Sequence, residues 1–86
     1  MRTRVAMIAI MADGSDTARQ INTLLHDYSD YIIGRMGVPY REKGIFLISV
    51  AIDAPQNEIN SLAGKIGRIS GVTAKIVYSA EKNDEQ

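Results

Sequence analysis

The stretch IFLISVAIDAPQNEINSLAGKIGRISGVTAKIVYS, residues 45–79, changes its hydrophobic period twice. Ile45 to Ile52 is apolar at odd and even positions alike, the texture of a strand buried on both faces. Ile59, Leu62, Ala63, Ile66 and Ile69 then recur at helical spacing. Pro55 suits the first helical position, with Asp53 just outside it and Glu58 in the first turn. Gly71 is expected to end this helix as a left-handed cap. From there Val72, Ala74, Ile76 and Tyr78 alternate with Thr73, Lys75, Val77 and Ser79, the mark of a half-buried strand. The stretch reads strand, helix, strand.

The preceding half repeats the theme. Val5 to Ala12, VAMIAIMA, is again apolar on both parities. ADGSD follows as a turn, and Ala18, Ile21, Leu24, Leu25 and Tyr28 mark a helix. Thr17 and Gln20 could form a capping box there, with Ser15 and Asp16 as rival caps. Ile32 to Tyr40, IIGRMGVPY, is a strand interrupted by Gly34, Gly37 and Pro39, which confine it to a sheet edge or a bulge. REKG turns the chain into the strand at Ile45. The order strand, helix, strand, strand, helix, strand is the split βαβ pattern of an α+β, ferredoxin-like sandwich. In it, two helices cover one face of a four-stranded antiparallel sheet, and the first and third strands are central. Those are the two doubly apolar strands. One domain is expected over residues 1–80, with a polar, frayed tail over 81–86.

Two helices leave the other sheet face bare. Whichever parity of the central strands faces it, Val5, Met7, Ala9 and Met11 or Ala6, Ile8, Ile10 and Ala12, the face is apolar. A partner should cover it, and a second copy of the chain is the expected one, across the open face or along a sheet edge, as a dimer or tetramer.

The bulk numbers narrow the function. The chain has 86 residues, no cysteine, and ten basic residues balanced by ten acidic ones. The absence of cysteine removes disulfides, thiolate metal sites and a cysteine nucleophile, and fits a reducing, cytoplasmic setting. Zero net charge gives no nucleic-acid or membrane footprint. No apolar run reaches the about 20 residues that span a bilayer.

Gly64 and Gly67 fall off the apolar stripe of the second helix. They thin its outer side, where a neighbouring backbone or ligand could approach; the plain alternative is a helix that tolerates them. GKIGRISG lacks the order of a phosphate-binding loop.

Several blocks carry a resemblance: Leu24-Leu25-His26, Arg35-Met36-Gly37-Val38-Pro39-Tyr40, and Gly64-Lys65-Ile66-Gly67 with Gly71-Val72. Together, from about Val5 to Ser79, the chain resembles the family of candidate iron-only hydrogenase system regulators. The resemblance implies an ACT-like, ferredoxin-like fold, a homo-oligomer and a regulatory role. It implies no cofactor.

Candidate chemistry is sparse. His26 is the only histidine, and a metal centre needs several ligands. That counts against a metal sensor, and no serine, histidine and acid form a nucleophilic motif, so no enzyme is expected. Asp13, Gly14, Ser15 and Asp16 join the first strand to the first helix, where free backbone N–H groups favour an anion. ACT domains resemble this segment, carrying a glycine turn there and binding small amino acids between subunits; the proline that usually neighbours that glycine is absent here. Arg35, Tyr40 and Arg41, with Lys43, offer a second anion contact, although charges on an edge strand also serve to block pairing. Lys65, Arg68 and Lys75 read as a further basic patch. The reading is a non-enzymatic module that senses a small anionic or zwitterionic ligand or binds a protein partner, with Gly64 and Gly67 at a subunit interface. The alternative is a DNA-binding transcriptional regulator, but no reading helix or N-terminal arm stands beside the six elements.

Overall fold

The computed structural model describes residues 2–80; Met1 and the tail expected over 81–86 lie outside the described residues. The elements run β1 (Arg4–Asp13), α1 (Ser15–Asp27), β2 (Ile32–Tyr40), β3 (Ile45–Ala54), α2 (Gln56–Gly67) and β4 (Val72–Tyr78). Short 3-10 turns, Ser29–Tyr31 and Arg41–Lys43, lead into β2 and β3. The sheet order is β2-β3-β1-β4 with every neighbour antiparallel, the expected ferredoxin-like α+β topology. The doubly apolar strands β1 and β3 are the central pair.

The register settles which parity faces the helices. Ala6 pairs with Ile52, Ile8 with Val50 and Ile10 with Ile48, and all point into the core. Ile21 and Leu25 of α1 and Ile59, Leu62 and Ile66 of α2 close over them, completely buried. Each such side chain contributes about 1.5–3 kcal/mol by leaving water. From β4, Val72, Ala74, Ile76 and Tyr78 pack against the same cluster.

The opposite parity forms the bare face. Across it run three rows set by strand pairing. One is Val38, Leu47, Met11 and Thr73; the next is Met36, Ser49, Ala9 and Lys75; the third is Gly34, Ala51, Met7 and Val77. β2 is the edge strand expected from its glycines and proline, with a bulge between Ile32 and Gly34 and every residue from Ile33 to Tyr40 exposed.

Three local expectations are corrected. The second helix ends at Gly67, before Gly71, so Gly67 is a terminal residue and only Gly64 is interior. Gly71 does have a left-handed φ of 84°, but it opens β4: its carbonyl accepts the Asp13 N–H at 3.0 Å. A Cβ there would lie 3.2 Å from that of Asp13, so the residue also secures a close approach. At the start of α1, no side chain caps the helix; Gly14 itself is the N-cap, and its carbonyl receives the Ala18 N–H at 3.2 Å. Pro55 stands one residue earlier than expected, as N-cap of α2, where its carbonyl accepts the N–H groups of Glu58 and Ile59 at 2.9 and 3.1 Å.

Candidate functional site

Ile45 opens β3 between two partners, Tyr40 on one side and Asp13 on the other. The β1–α1 turn and the β2–β3 connection therefore emerge at the same end of the sheet. Between them lies an open cleft of about 430 Å³, lined by Gly14, Ser15, Pro39, Tyr40, Arg41, Gly44, Ile45 and Phe46. Two groups of candidates that lie far apart in sequence, Gly14 and Ser15 with Tyr40 and Arg41, thus share one concavity.

Each wall has a local cause. Gly14 adopts φ 96° and ψ 166°, a region essentially reserved for glycine, which swings the chain from β1 directly into α1. The first turn of α1 then presents backbone N–H groups with no side-chain cap and the positive end of the helix dipole. Opposite, Gly44 takes a left-handed φ of 66° and donates its N–H to the Arg41 carbonyl at 3.2 Å, closing the turn that carries Arg41. Pro39, Ile45 and Phe46 supply apolar wall, Tyr40 a hydroxyl and Arg41 a guanidinium. Such a cleft suits a small molecule with an anionic end and an apolar body; its volume lies within the about 300–1,000 Å³ of ligand sites.

The remaining candidates stand elsewhere. Asp13 is exposed beside Gly71, and Asp16 points outward, its carboxylate 3.6 Å from Arg19. Arg35 faces α1, where its guanidinium donates to Asn22 Oδ1. Gly64 and Gly67 sit on the outer side of α2, where added Cβ atoms would meet nothing closer than the Arg68 guanidinium at 3.8 Å. The basic patch of Lys65, Arg68 and Lys75 is dispersed: Lys75 stands on the open sheet face, while Lys65, exposed on α2, reaches to the Tyr28 hydroxyl. His26 is exposed, and among the described residues no three His, Cys, Asp or Glu side chains gather as a metal site.

One cluster had no counterpart in the sequence reading. Tyr28, nearly buried after α1, accepts a hydrogen bond from Lys65 Nζ at 3.0 Å, and its hydroxyl lies 3.2 Å from Ser61 Oγ. The ammonium also sits 5.2 Å from the ring centroid. The hydrogen bond from Lys65, then that with Ser61, holds the Tyr28 phenol below its ordinary value, and the same bond to Tyr28 raises Lys65. Both shifts favour tyrosinate beside ammonium. The cluster ties α1 to α2. A second contact ties α2 to the sheet: Tyr78 of β4 donates to Asn60 Oδ1 at 2.9 Å, and the Arg4 guanidinium lies 4.1 Å from the Tyr78 ring centroid.

Comparison with known proteins gives one family and one fold. The TM1266-like family, described as candidate regulators of the iron-only hydrogenase system, matches residues 4–76. Among solved structures, the uncharacterised protein TM1266 from Thermotoga maritima is 34% identical, with a TM-score of 0.89 over 92% of this chain and 100% of its own. The ACT domain of the GTP pyrophosphokinase from Chlorobium tepidum aligns at 19% identity and a TM-score of 0.75, over 87% of this chain and 99% of the domain. A nitrogen regulatory PII-like protein from Thiomonas intermedia, bound to ADP, AMP and bicarbonate, aligns at 13% identity and 0.52, over 93% and 100%. No curated protein matches. The likenesses to TM1266 and to the ACT domain show the ACT-like fold.

Proposed function

The chain belongs to the TM1266-like family of candidate iron-only hydrogenase system regulators, and from that premise we propose that it is a non-catalytic, homo-oligomeric module that senses a small anionic or zwitterionic ligand. The observation that carries the reading is the convergence of Gly14 and Ser15 with Tyr40 and Arg41 in one cleft. The ligand's carboxylate or phosphate meets the N–H groups at the start of α1 and the guanidinium of Arg41, which forks to either anion. Its apolar part lies against Pro39 and Phe46. Glycine at position 14 keeps side chain out of the way of the helix start. Gly64 and Gly67 leave the outer side of α2 bare for another element of an assembly, a role that Gly64→Leu tests by its effect on assembly.

The experiment is a thermal-shift panel followed by calorimetry. The panel contains amino acids, small carboxylates, bicarbonate and adenine nucleotides, the last two because the PII-like neighbour holds them. A ligand at a hundred times its Kd stabilises the folded state by about 2.7 kcal/mol. Arg41→Gln and Tyr40→Phe, both at exposed positions, should reduce that response while the unliganded melting temperature stays close to the parent's. A panel with no response, or a response that survives Arg41→Gln intact, refutes the site.

A further inference from the structure

Ser15, Ala18 and Asn22 recur at i, i+3 and i+7 of α1 and form its stripe toward β2. Across the gap stand Arg35, Gly37 and Pro39. These alternate residues of β2 lie on the helix side of the sheet, because they pair with Val50, Ile48 and Phe46. Both walls are short in the middle, so the helix and the edge strand do not close on one another. A second hollow of about 200 Å³ opens between them, with Ala18 and Asn22 on one wall, Gly37 on the other and Ile48 below. Gly37 has no positive φ, so the backbone does not require glycine there. What the missing side chain leaves is room: an added Cβ would lie 4.0 Å from Ile48 Cγ1, and anything longer would enter the hollow.

This hollow meets the cleft at the start of α1, since Pro39 and Phe46 line both. Together they make one groove that runs from Ser15 to Asn22, about 10 Å along the axis of α1. Each end carries a guanidinium, Arg41 beside the helix start and Arg35 beside Asn22. No Asp or Glu is among the residues lining either part. Arg35 donates to the neutral amide oxygen of Asn22. That bond uses one of the five N–H donors of a guanidinium and neutralises none of its charge. The surface between the two cations is apolar, Pro39 and Phe46.

We propose that the ligand of this groove is an elongated dianion, with one anionic group at the start of α1 and Arg41 and the second, about 10 Å away, on Arg35. The assignment rests on the anion site proposed for the cleft and adds the chemical class of what fills it. Asn22 is a positioning residue: its Oδ1 holds the Arg35 guanidinium at the end of the groove. A one-headed anion of the same length would lay an apolar tail beside that guanidinium and strip water from it without pairing it. A carboxylate there forms charge-assisted hydrogen bonds instead.

The test is an amide NMR titration of the full chain with suberate, with octanoate as its one-headed counterpart and with glutarate as a two-headed anion too short to span the groove. The folded spectrum is the check on each variant. Suberate should bind about tenfold more tightly than octanoate and shift the amides of both Gly14 and Gly37. Glutarate should shift Gly14 and leave Gly37 in place. Arg35→Gln, at an exposed position of the edge strand, should bring suberate down to the affinity of octanoate and leave octanoate unchanged. Gly37→Leu, which fills the second hollow, should also remove the advantage of suberate. Equal binding of suberate and octanoate overturns the inference and leaves the first anion site standing. So does an advantage of suberate that survives Arg35→Gln in a folded protein. A Gly14 amide that moves with none of the three anions refutes the anion site itself, and the second site falls with it.

Discussion

Gly14→Ala and Gly64→Ala are the same chemical change with opposite expected signs. At Gly14 the backbone sits at φ 96° and ψ 166° with open space around the missing Cβ, so no clash arises and the whole cost is backbone strain. That region costs a non-glycine residue about 1–3 kcal/mol. Alanine recovers about 0.4–1 kcal/mol by restricting the unfolded chain, which leaves a net loss of about 1–2 kcal/mol. At Gly64 the residue is inside α2, its φ is not positive, and an added Cβ makes only ordinary contact with Arg68 at 3.8 Å. There alanine gains about 1 kcal/mol of helix propensity. The two variants should differ by about 2–3 kcal/mol. In a domain of this size each kcal/mol moves the melting temperature by about 4–8 °C, so the pair should separate by more than 8 °C, with the parent between them. Urea titration and thermal melts at one fixed protein concentration measure this, the concentration held because association shifts apparent stability. Both variants moving in the same direction would refute the reasoning. A Gly14→Ala protein as stable as the parent would show that the turn before α1 does not require this conformation.

Leu62→Ala removes a fully buried side chain from the centre of α2 and should cost about 2–5 kcal/mol in urea unfolding; a loss below 1 kcal/mol would mean the helix is not seated on the sheet as described. Tyr28 should ionise below its ordinary 10.0, read by tyrosinate absorbance in a Tyr28→Phe difference titration, because the hydrogen bonds from Lys65 and with Ser61 hold its phenol low; Lys65→Met should move that step upward. The sign for stability follows from the protons: between the lowered folded value and the ordinary 10.0 the unfolded chain holds the Tyr28 proton more tightly, so this group favours folding as pH rises through that window. Lys65, raised in the folded state, contributes below its ordinary 10.5 and loses that contribution as pH passes its folded value. Duplex DNA should show no salt-sensitive, submicromolar gel shift, since net charge is zero and the cations Lys65 and Lys75 stand on different surfaces; such a shift, lost on Lys65→Ala, would restore the DNA-binding alternative.

What the sequence determined by itself was the order of the elements and the identity of the central strands. The central strands are apolar at both parities, a property written locally in Val5–Ala12 and Ile45–Ile52, although the fold buries only the even one and leaves Val5, Met7, Met11 and Leu47 exposed. The edge character of β2 was equally local, because Pro39 and the glycines limit pairing wherever they stand. That same double apolarity hid which side of β1 faces the helices: with both parities apolar, only the register of Ile8 on Val50 and the seating of Leu25 and Leu62 above them could choose. Helix ends were misplaced by a few residues, since Gly71 signals a left-handed turn without saying which element it serves. The Tyr28 cluster was invisible because its partners lie 33 and 37 residues away, and neither serine nor lysine on a helix surface announces a buried phenol. The cleft belongs to the same class. Gly14 and Arg41 were each legible as anion contacts, but their meeting depends on Ile45 pairing with both Tyr40 and Asp13. Local pattern sets the period of burial; only long-range strand pairing decides which loops share an end of the sheet.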